Sequence, residues 1–189
     1  MDLPTEAQNI LDTAELIYSS AEIHQAIDNL AKQINEQLGN HSKPIIVLPI
    51  MNGGLVLSGH LVTRLNFPLH LDFMHATRYR DKTTGSELHW KVKPHRPLKG
   101  ETLLIIDDIF DEGFTLQAVL AFCKEQGAAA VYSAVLVEKD HPREKACIKS
   151  DFTGLQIVDR YVFGFGMDYK GFHRNLDAIY AVSETDNDK

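Results

Sequence analysis

The chain has 189 residues, 44% hydrophobic and 24% charged, which suits one compact globular unit and excludes collagen-like, low-complexity and largely disordered chains. With 19 basic and 26 acidic side chains the formal net charge is -7, the wrong sign for gripping nucleic acid or anionic lipid through the overall field. Sparse cysteine, Cys123 and Cys147 alone, points to a reducing cytoplasm, and the sequence shows neither a basic-apolar leader nor a run of about 18 apolar residues.

In chain order, Ser19-Ser20-Ala21-Glu22 reads as a capping box, since a Ser hydroxyl and a Glu carboxylate three residues on satisfy helix-start amides reciprocally. Ile23, Ile27, Leu30, Ile34 and Leu38 follow at helical spacing until Gly39. Ile45 to Ile50 is a short apolar run, broken by Gly53-Gly54 and followed by a helix-length stretch from Leu55 to Leu65. Leu69 to Met74 reads as another strand, and Ala76 to Arg96 as a long polar, irregular loop with Thr83-Thr84-Gly85-Ser86 at its middle.

Leu103 to Ile106 is a third strand, ending abruptly in Asp107-Asp108 and passing through Asp111, Gly113 and Thr115 into a helix from Leu116 to Gln126. Val131 to Val137 is a fourth strand. Alternating strands and helices predict a mainly parallel sheet covered on both faces. From Phe152 the pattern changes to short β-like runs and an aromatic and glycine stretch, read as a smaller, partly β appendage, and Ser183 to Lys189 as a frayed tail.

The chemistry concentrates between Leu103 and Thr115. Open parallel sheets bind ligands beyond the carboxyl ends of their strands, and acids occupy that edge here. Unpaired buried carboxylates are costly, so Asp107 and Asp108 call for a polyhydroxyl or metal-bearing partner. From Asp111 to Thr115 a turn enters a helix, where backbone amides and the Thr115 hydroxyl can converge on a phosphate. Because Glu112 is acidic, amides rather than side-chain charge must supply that affinity. Two other readings stay open on these residues alone: a solvated strand edge with helix caps, and the Asp-Asp-x-x-Asp spacing of prenyl-diphosphate enzymes, although the latter sits on a helix. A Walker loop is excluded because no Gly-Lys-Ser/Thr follows the glycines.

A hydrophobic strand, two acids, a short spacer and a Thr-terminated loop resemble the hallmark of the type I phosphoribosyltransferases, and the resemblance runs from about Ile45 to Val182. It implies that family's α/β fold, a mainly parallel sheet flanked by helices with a small hood from terminal segments. It also implies one domain over 1–189, with a core at about 40–150 and a hood from about 1–38 and 152–182. Asn52-Gly53-Gly54 resembles the pyrophosphate loop, with Asn52 where the family commonly has a basic residue. Arg78-Tyr79 stands at the entrance to the mobile lid, replacing the more familiar Ser-Tyr pair, and the added cation compensates for Asn52.

The resemblance further implies that Asp107 and Asp108 engage the ribose hydroxyls directly or through metal. Asp111, Glu112, Gly113, Phe114 and Thr115 form the phosphate loop, and Asp111 also takes the N7 proton of the base. Toward the C-terminus, Lys149 would donate to a 6-oxo group, Tyr161 stack on the purine, and the Val162 backbone, Met167 and Asp168 complete the purine end. Asp107 and Asp168 would hold Mg2+, and Arg174 would fork onto pyrophosphate. Taken singly, Lys149 also fits a surface ion pair with Asp151, Tyr161 a core position and Arg174 a solvated charge. The implied partners are 5-phosphoribosyl 1-pyrophosphate (PRPP), hypoxanthine, guanine, pyrophosphate, and IMP or GMP. The implied assembly is a homodimer or homotetramer, without nucleic acid or membrane. Xanthine preference is an alternative within enzymes, and a precursor-sensing regulatory protein is one outside them.

Overall fold

The computed structural model describes residues 3–78, 88–143 and 145–183. Tyr79 and the centre of the expected lid lie outside the described residues, as do 184–189 and the side chain of Arg78. Helix α1 (Leu3–Thr13) and strand β1 (Glu15–Tyr18) precede α2 (Ser20–Leu38). Next come β2 (Ile45–Pro49), α3 (Gly54–Val62), β3 (Leu69–Leu71), β4 (His75–Arg78) and β5 (Leu88–Val92). The chain continues through β6 (Thr102–Phe110), α4 (Phe114–Glu125), β7 (Ala130–Asp140), β8 (Phe152–Val158), β9 (Val162–Phe163) and β10 (Ile179–Ala181).

Five strands form a parallel sheet in the order β3-β2-β6-β7-β8. Its inner strands read as continuous apolar runs because both faces are covered, while alternate side chains still point opposite ways. Ile45, Val47, Leu104 and Ile106 join the core under α2 and α3, whereas Ile46, Leu48, Leu103 and Ile105 join the core under α4. The capping box at α2 forms as read: the Ser19 N–H donates to Glu22 Oε2 at 2.9 Å, and the Ser19 side chain accepts from the Glu22 N–H. A second, antiparallel sheet, β1-β10-β9, packs with α1 around Phe163 and forms the hood. Both cysteines are free.

The structure departs from the sequence reading at four places. Residues read as an irregular loop include β4 and β5, which pair antiparallel as Ala76↔Trp90 and Thr77↔His89. One face of this ribbon rests on α4, with the Trp90 and Phe122 rings 4.4 Å apart. Regular strand β3 ends at Leu71 rather than Met74, although the chain keeps to the edge of β2. The Asp72 and Met74 N–H groups donate to the Val47 and Pro49 carbonyls, both at 3.1 Å, and Met74 bridges Ile50, while the Asp72 carboxylate accepts the backbone N–H groups of Phe73, His95 and Arg96. Strand β6 does not end at Asp107; it keeps pairing with β7 as far as Phe110↔Glu138. The hood is narrower than 1–38 and 152–182, since β8 is an edge strand of the large sheet and α2 packs onto it.

Candidate active site

The sheet ends in steps. The last β2–β6 pair is Pro49↔Ile106, and β6 then runs on beside β7 alone, so Asp107 and Asp108 stand over the space that β2 vacates. The chain after β2 comes back close to them at Gly53, where a Cβ would overlap the Asp108 carboxylate. At the other end of the loop, Gly113 caps α4 with φ 79°, and a Cβ there would strike the Phe110 ring. No side chain caps α4, which leaves its entrance to whatever binds there.

A cavity of about 400 Å³ fills this step. It is lined by Asn52 and Gly53, by Asp107, Asp108 and the run from Asp111 to Thr115, and by Asp168 and Arg174. A second hollow of about 500 Å³ adjoins it, lined by Lys139, Arg143, Asp159, Tyr161, Val162 and Met167. Asp108, Asp111 and Asp168 border both.

Electrostatics divide the two hollows. Burial pushes the Asp107 carboxyl well above the usual carboxylate range, and the Asp108 charge beside it adds to the shift. Asp108, 8% exposed, is raised by burial as well; the nearest Arg174 nitrogen, Nη1, stands 3.9 Å away. Arg174 is engaged elsewhere, donating to the Gly166 carbonyl at 2.5 Å and to Asp168.

In the second hollow the carboxylates are saturated with cations. Asp111 is met by Lys139 Nζ at 3.2 Å and Arg143 Nη2 at 2.6 Å. The fully buried His141 ring places Nε2 3.0 Å from Asp111 Oδ1, off the line of a hydrogen bond. Burial opposes ionisation of Asp111, but the Lys139 and Arg143 charges and hydrogen bonds outweigh it and hold the carboxyl below its ordinary value. Arg143 also reaches Glu112 at 3.0 Å and Asp159 at 2.8 Å. Tyr161 presents an exposed ring edge-on to Tyr169 at 5.6 Å, and Arg160 ties this wall to the hood through Glu15 and the Val182 carbonyl.

Of the residues singled out in the sequence, Asn52, Gly53, Asp107, Asp108, Asp111, Glu112, Gly113, Phe114, Thr115, Asp168 and Arg174 come together around the first hollow. Tyr161, Val162 and Met167 line the second. Lys149 does not join them. It is exposed and precedes β8, whose parallel course puts that end at the opposite, amino edge of the sheet, where Asp151 holds the Ser133 N–H at 2.7 Å. The lysine in the hollow is Lys139, which the sequence reading missed along with Arg143, His141 and Asp159. The signal was present: β7 outlasts Val137, so the Glu138-Lys139-Asp140 run lies on the strand's carboxyl end.

Among the described residues no cluster of three or more His, Cys, Asp or Glu side chains could hold a metal by itself. The donor chemistry nevertheless suits Mg2+, which takes one or two carboxylates and completes its shell with phosphate and water. Asp107 and Asp108 are two oxygen-rich side chains held in a buried place with too little positive charge to match.

Residues 14–170 match the model of the phosphoribosyl transferase domain. The hypoxanthine-guanine phosphoribosyltransferase of Mycoplasma genitalium is 31% identical over 179 residues, covering 91% of this chain and 97% of the relative. That of Streptococcus pneumoniae is 31% identical over 174 residues, covering 92% and 95%. A crystal structure of a hypoxanthine phosphoribosyltransferase from Staphylococcus aureus superposes with a TM-score of 0.85 at 24% identity, covering 97% of this chain and 98% of the other. The stepped sheet edge, the acid-to-threonine loop and these end-to-end matches agree: the chain belongs to the phosphoribosyltransferase family, on its hypoxanthine-guanine branch.

Proposed function

We propose that this protein transfers the 5-phosphoribosyl group of PRPP to N9 of hypoxanthine or guanine, giving IMP or GMP and pyrophosphate, and that residues 1–189 act as one catalytic domain. One observation carries the reading: a phosphate-and-ribose hollow and an aromatic-walled hollow share Asp108, Asp111 and Asp168, so donor and acceptor would meet across those residues. In the first hollow, the entrance to α4 with Thr115 receives the 5-phosphate, and Asp107 and Asp108 the ribose hydroxyls. Arg174 and the Asn52-Gly53 turn face the pyrophosphate. Asp107 and Asp168 are the carboxylates we assign to Mg2+, which when bound would neutralise the leaving pyrophosphate.

In the second hollow Lys139 takes the role first given to Lys149. Its ammonium donates to a 6-oxo group and would meet the 6-amino group of adenine donor to donor, so oxopurines are selected. The Tyr161 ring supplies a flat wall, and Val162 the backbone edge. Asp111, kept ionised by its cationic neighbours, accepts the N7 proton as N9 attacks C1 of the ribose; the C1–oxygen bond breaks and pyrophosphate leaves with its electron pair. The positive charge that builds on the ribose then lies between acids already in place.

The same reading carries a homodimer or homotetramer, which sedimentation will decide, and a cytoplasmic setting. No helix among the described residues is long and apolar enough to cross a membrane. The test of function is incubation with PRPP, magnesium and a panel of nucleobases, with chromatographic detection of nucleoside monophosphates. IMP or GMP is expected; product from adenine alone, or from none of the bases, would overturn the proposal.

A further inference from the structure

Helix α1 lines neither hollow and lies outside the residues that match the family domain. Yet it is tied to the segment that carries Asp168 and Arg174. Glu6 Oε1 accepts the Tyr169 hydroxyl at 2.9 Å and the Lys170 ammonium at 2.6 Å. The carbonyl of the next residue, Ala7, lies 2.8 Å from His173 Nε2. Behind these contacts Ala7 and Ile10 pack against Phe163 and Tyr169.

The segment needs such a hold. Lys170 and His173 adopt positive φ, 48° and 68°, a conformation that side chains disfavour and that persists only where the surroundings over-determine it. Both side chains end on α1. Within the same bend the Gly171 N–H donates to Asp168 Oδ2 at 2.7 Å, and Arg174 bonds both Asp168 and the Gly166 carbonyl. The backbone that α1 holds bent is therefore the backbone that aims Asp168 and Arg174 into the first hollow.

We propose that α1 is a latch on the pyrophosphate-binding arm, with Glu6 as its positioning residue: by holding Lys170 and Tyr169 it keeps Asp168 and Arg174 aimed for the leaving group. The inference rests on the reading of Asp168 and Arg174 as that arm. Because the Glu6–Lys170 pair is half exposed, its effect is a few-fold one, and it falls more on the donor and pyrophosphate than on the base, which the same arm reaches only through Asp168 and the Tyr169–Tyr161 contact.

The test uses the full chain with Glu6→Ala, Glu6→Gln and, as a reference, Arg174→Ala. Calorimetry measures the Kd of pyrophosphate with magnesium, and steady-state kinetics the two KM values. Glu6→Ala is expected to weaken pyrophosphate and raise the KM of PRPP about three- to tenfold, with a clearly smaller change in the KM of hypoxanthine. Glu6→Gln, which keeps an acceptor for Tyr169 but no charge for Lys170, should fall between. Lys170→Gly removes both tie and strain, so adding Glu6→Ala to it should cost less than in the parent. Loss of pyrophosphate affinity in Arg174→Ala with none in Glu6→Ala overturns the latch alone. No loss in either variant overturns the assignment of the arm as well. Equal weakening of both substrates in Glu6→Ala also overturns it, marking a general loosening of the fold.

Discussion

Asp107 and Asp111 are four residues apart, yet their carboxyls are driven in opposite directions. The first hollow buries Asp107 and Asp108 side by side, and the neighbouring Arg174 is committed to Asp168 and a carbonyl. The second surrounds Asp111 with Lys139 and Arg143. One side thus carries negative charge that its own side chains leave unmatched, ready for a divalent cation and a polyol. The other is internally neutralised, so on the proposed function a purine would exchange one set of polar partners for another. Under the proposed function, a divalent cation arriving with the donor would relieve an electrostatic cost, whereas the base would substitute contacts of similar worth, and selectivity would arise in that substitution.

The sharpest way to break this comparison is Asp111→Asn, which keeps the shape and removes the proton acceptor. Turnover at saturating substrates should fall about 100-fold, within the range of general-base catalysis, while the KM of PRPP changes little. Unaltered turnover would take Asp111 out of that role. Next, Lys139→Ala should lower kcat/KM for hypoxanthine about 10- to 100-fold, the worth of a charge-assisted hydrogen bond. Lys149→Ala should leave it almost untouched, and the reverse ranking would restore the sequence-based assignment. Gly53→Ala forces a methyl group onto the Asp108 carboxylate, and urea titration should show a loss of about 1–3 kcal/mol together with weaker PRPP binding.

The smallest expected effects carry opposite signs, which makes them the most pointed. Asp111 has a lowered pKa in the folded chain, so its contribution to stability is present above its ordinary value of 3.8 and lost as pH falls through the folded value. Asp111→Asn should therefore lower the melting temperature at pH 7, and the difference should vanish in acid. Asp107 is raised, so its favourable contribution is fully present below 3.8 and is lost as pH rises through the higher folded value. Asp107→Asn should raise the melting temperature of the ligand-free, chelator-treated protein at pH 7, with no gain in acid. Scanning calorimetry across pH decides both, and shifts of the same sign would collapse the distinction between the hollows.

Much of the donor hollow was legible because local chemistry writes it into a contiguous stretch. An apolar strand, two acids, a glycine turn and a helix start all occupy the one stretch from Leu103 to Leu116. The α2 helix was equally plain, since its cap and its apolar stripe lie within one run. The acceptor hollow was harder. Its lysine sits on β7 beyond the point where the apolar pattern lapses, and pairing with β8, joined at Glu138 by β6, keeps Glu138, Lys139 and Asp140 extended. The β4–β5 ribbon hid behind polar residues because just one of its faces is covered. Helix α1 buries only Ala7 and Ile10, too few for a stripe, and its partners lie some 160 positions away in the chain.

In the series β2, β6 and β7 each strand outlasts the one before it: the last β2–β6 pair is Pro49↔Ile106, the last β6–β7 pair is Phe110↔Glu138, and β7 continues beside β8 to Asp140. The ledge on which substrates would rest is accordingly a matter of relative strand length within the central sheet. On the proposed function, reshaping 159–162 would retune which flat ring is accepted without erasing the ledge, whereas two extra residues appended to β2 would pave it over with main chain.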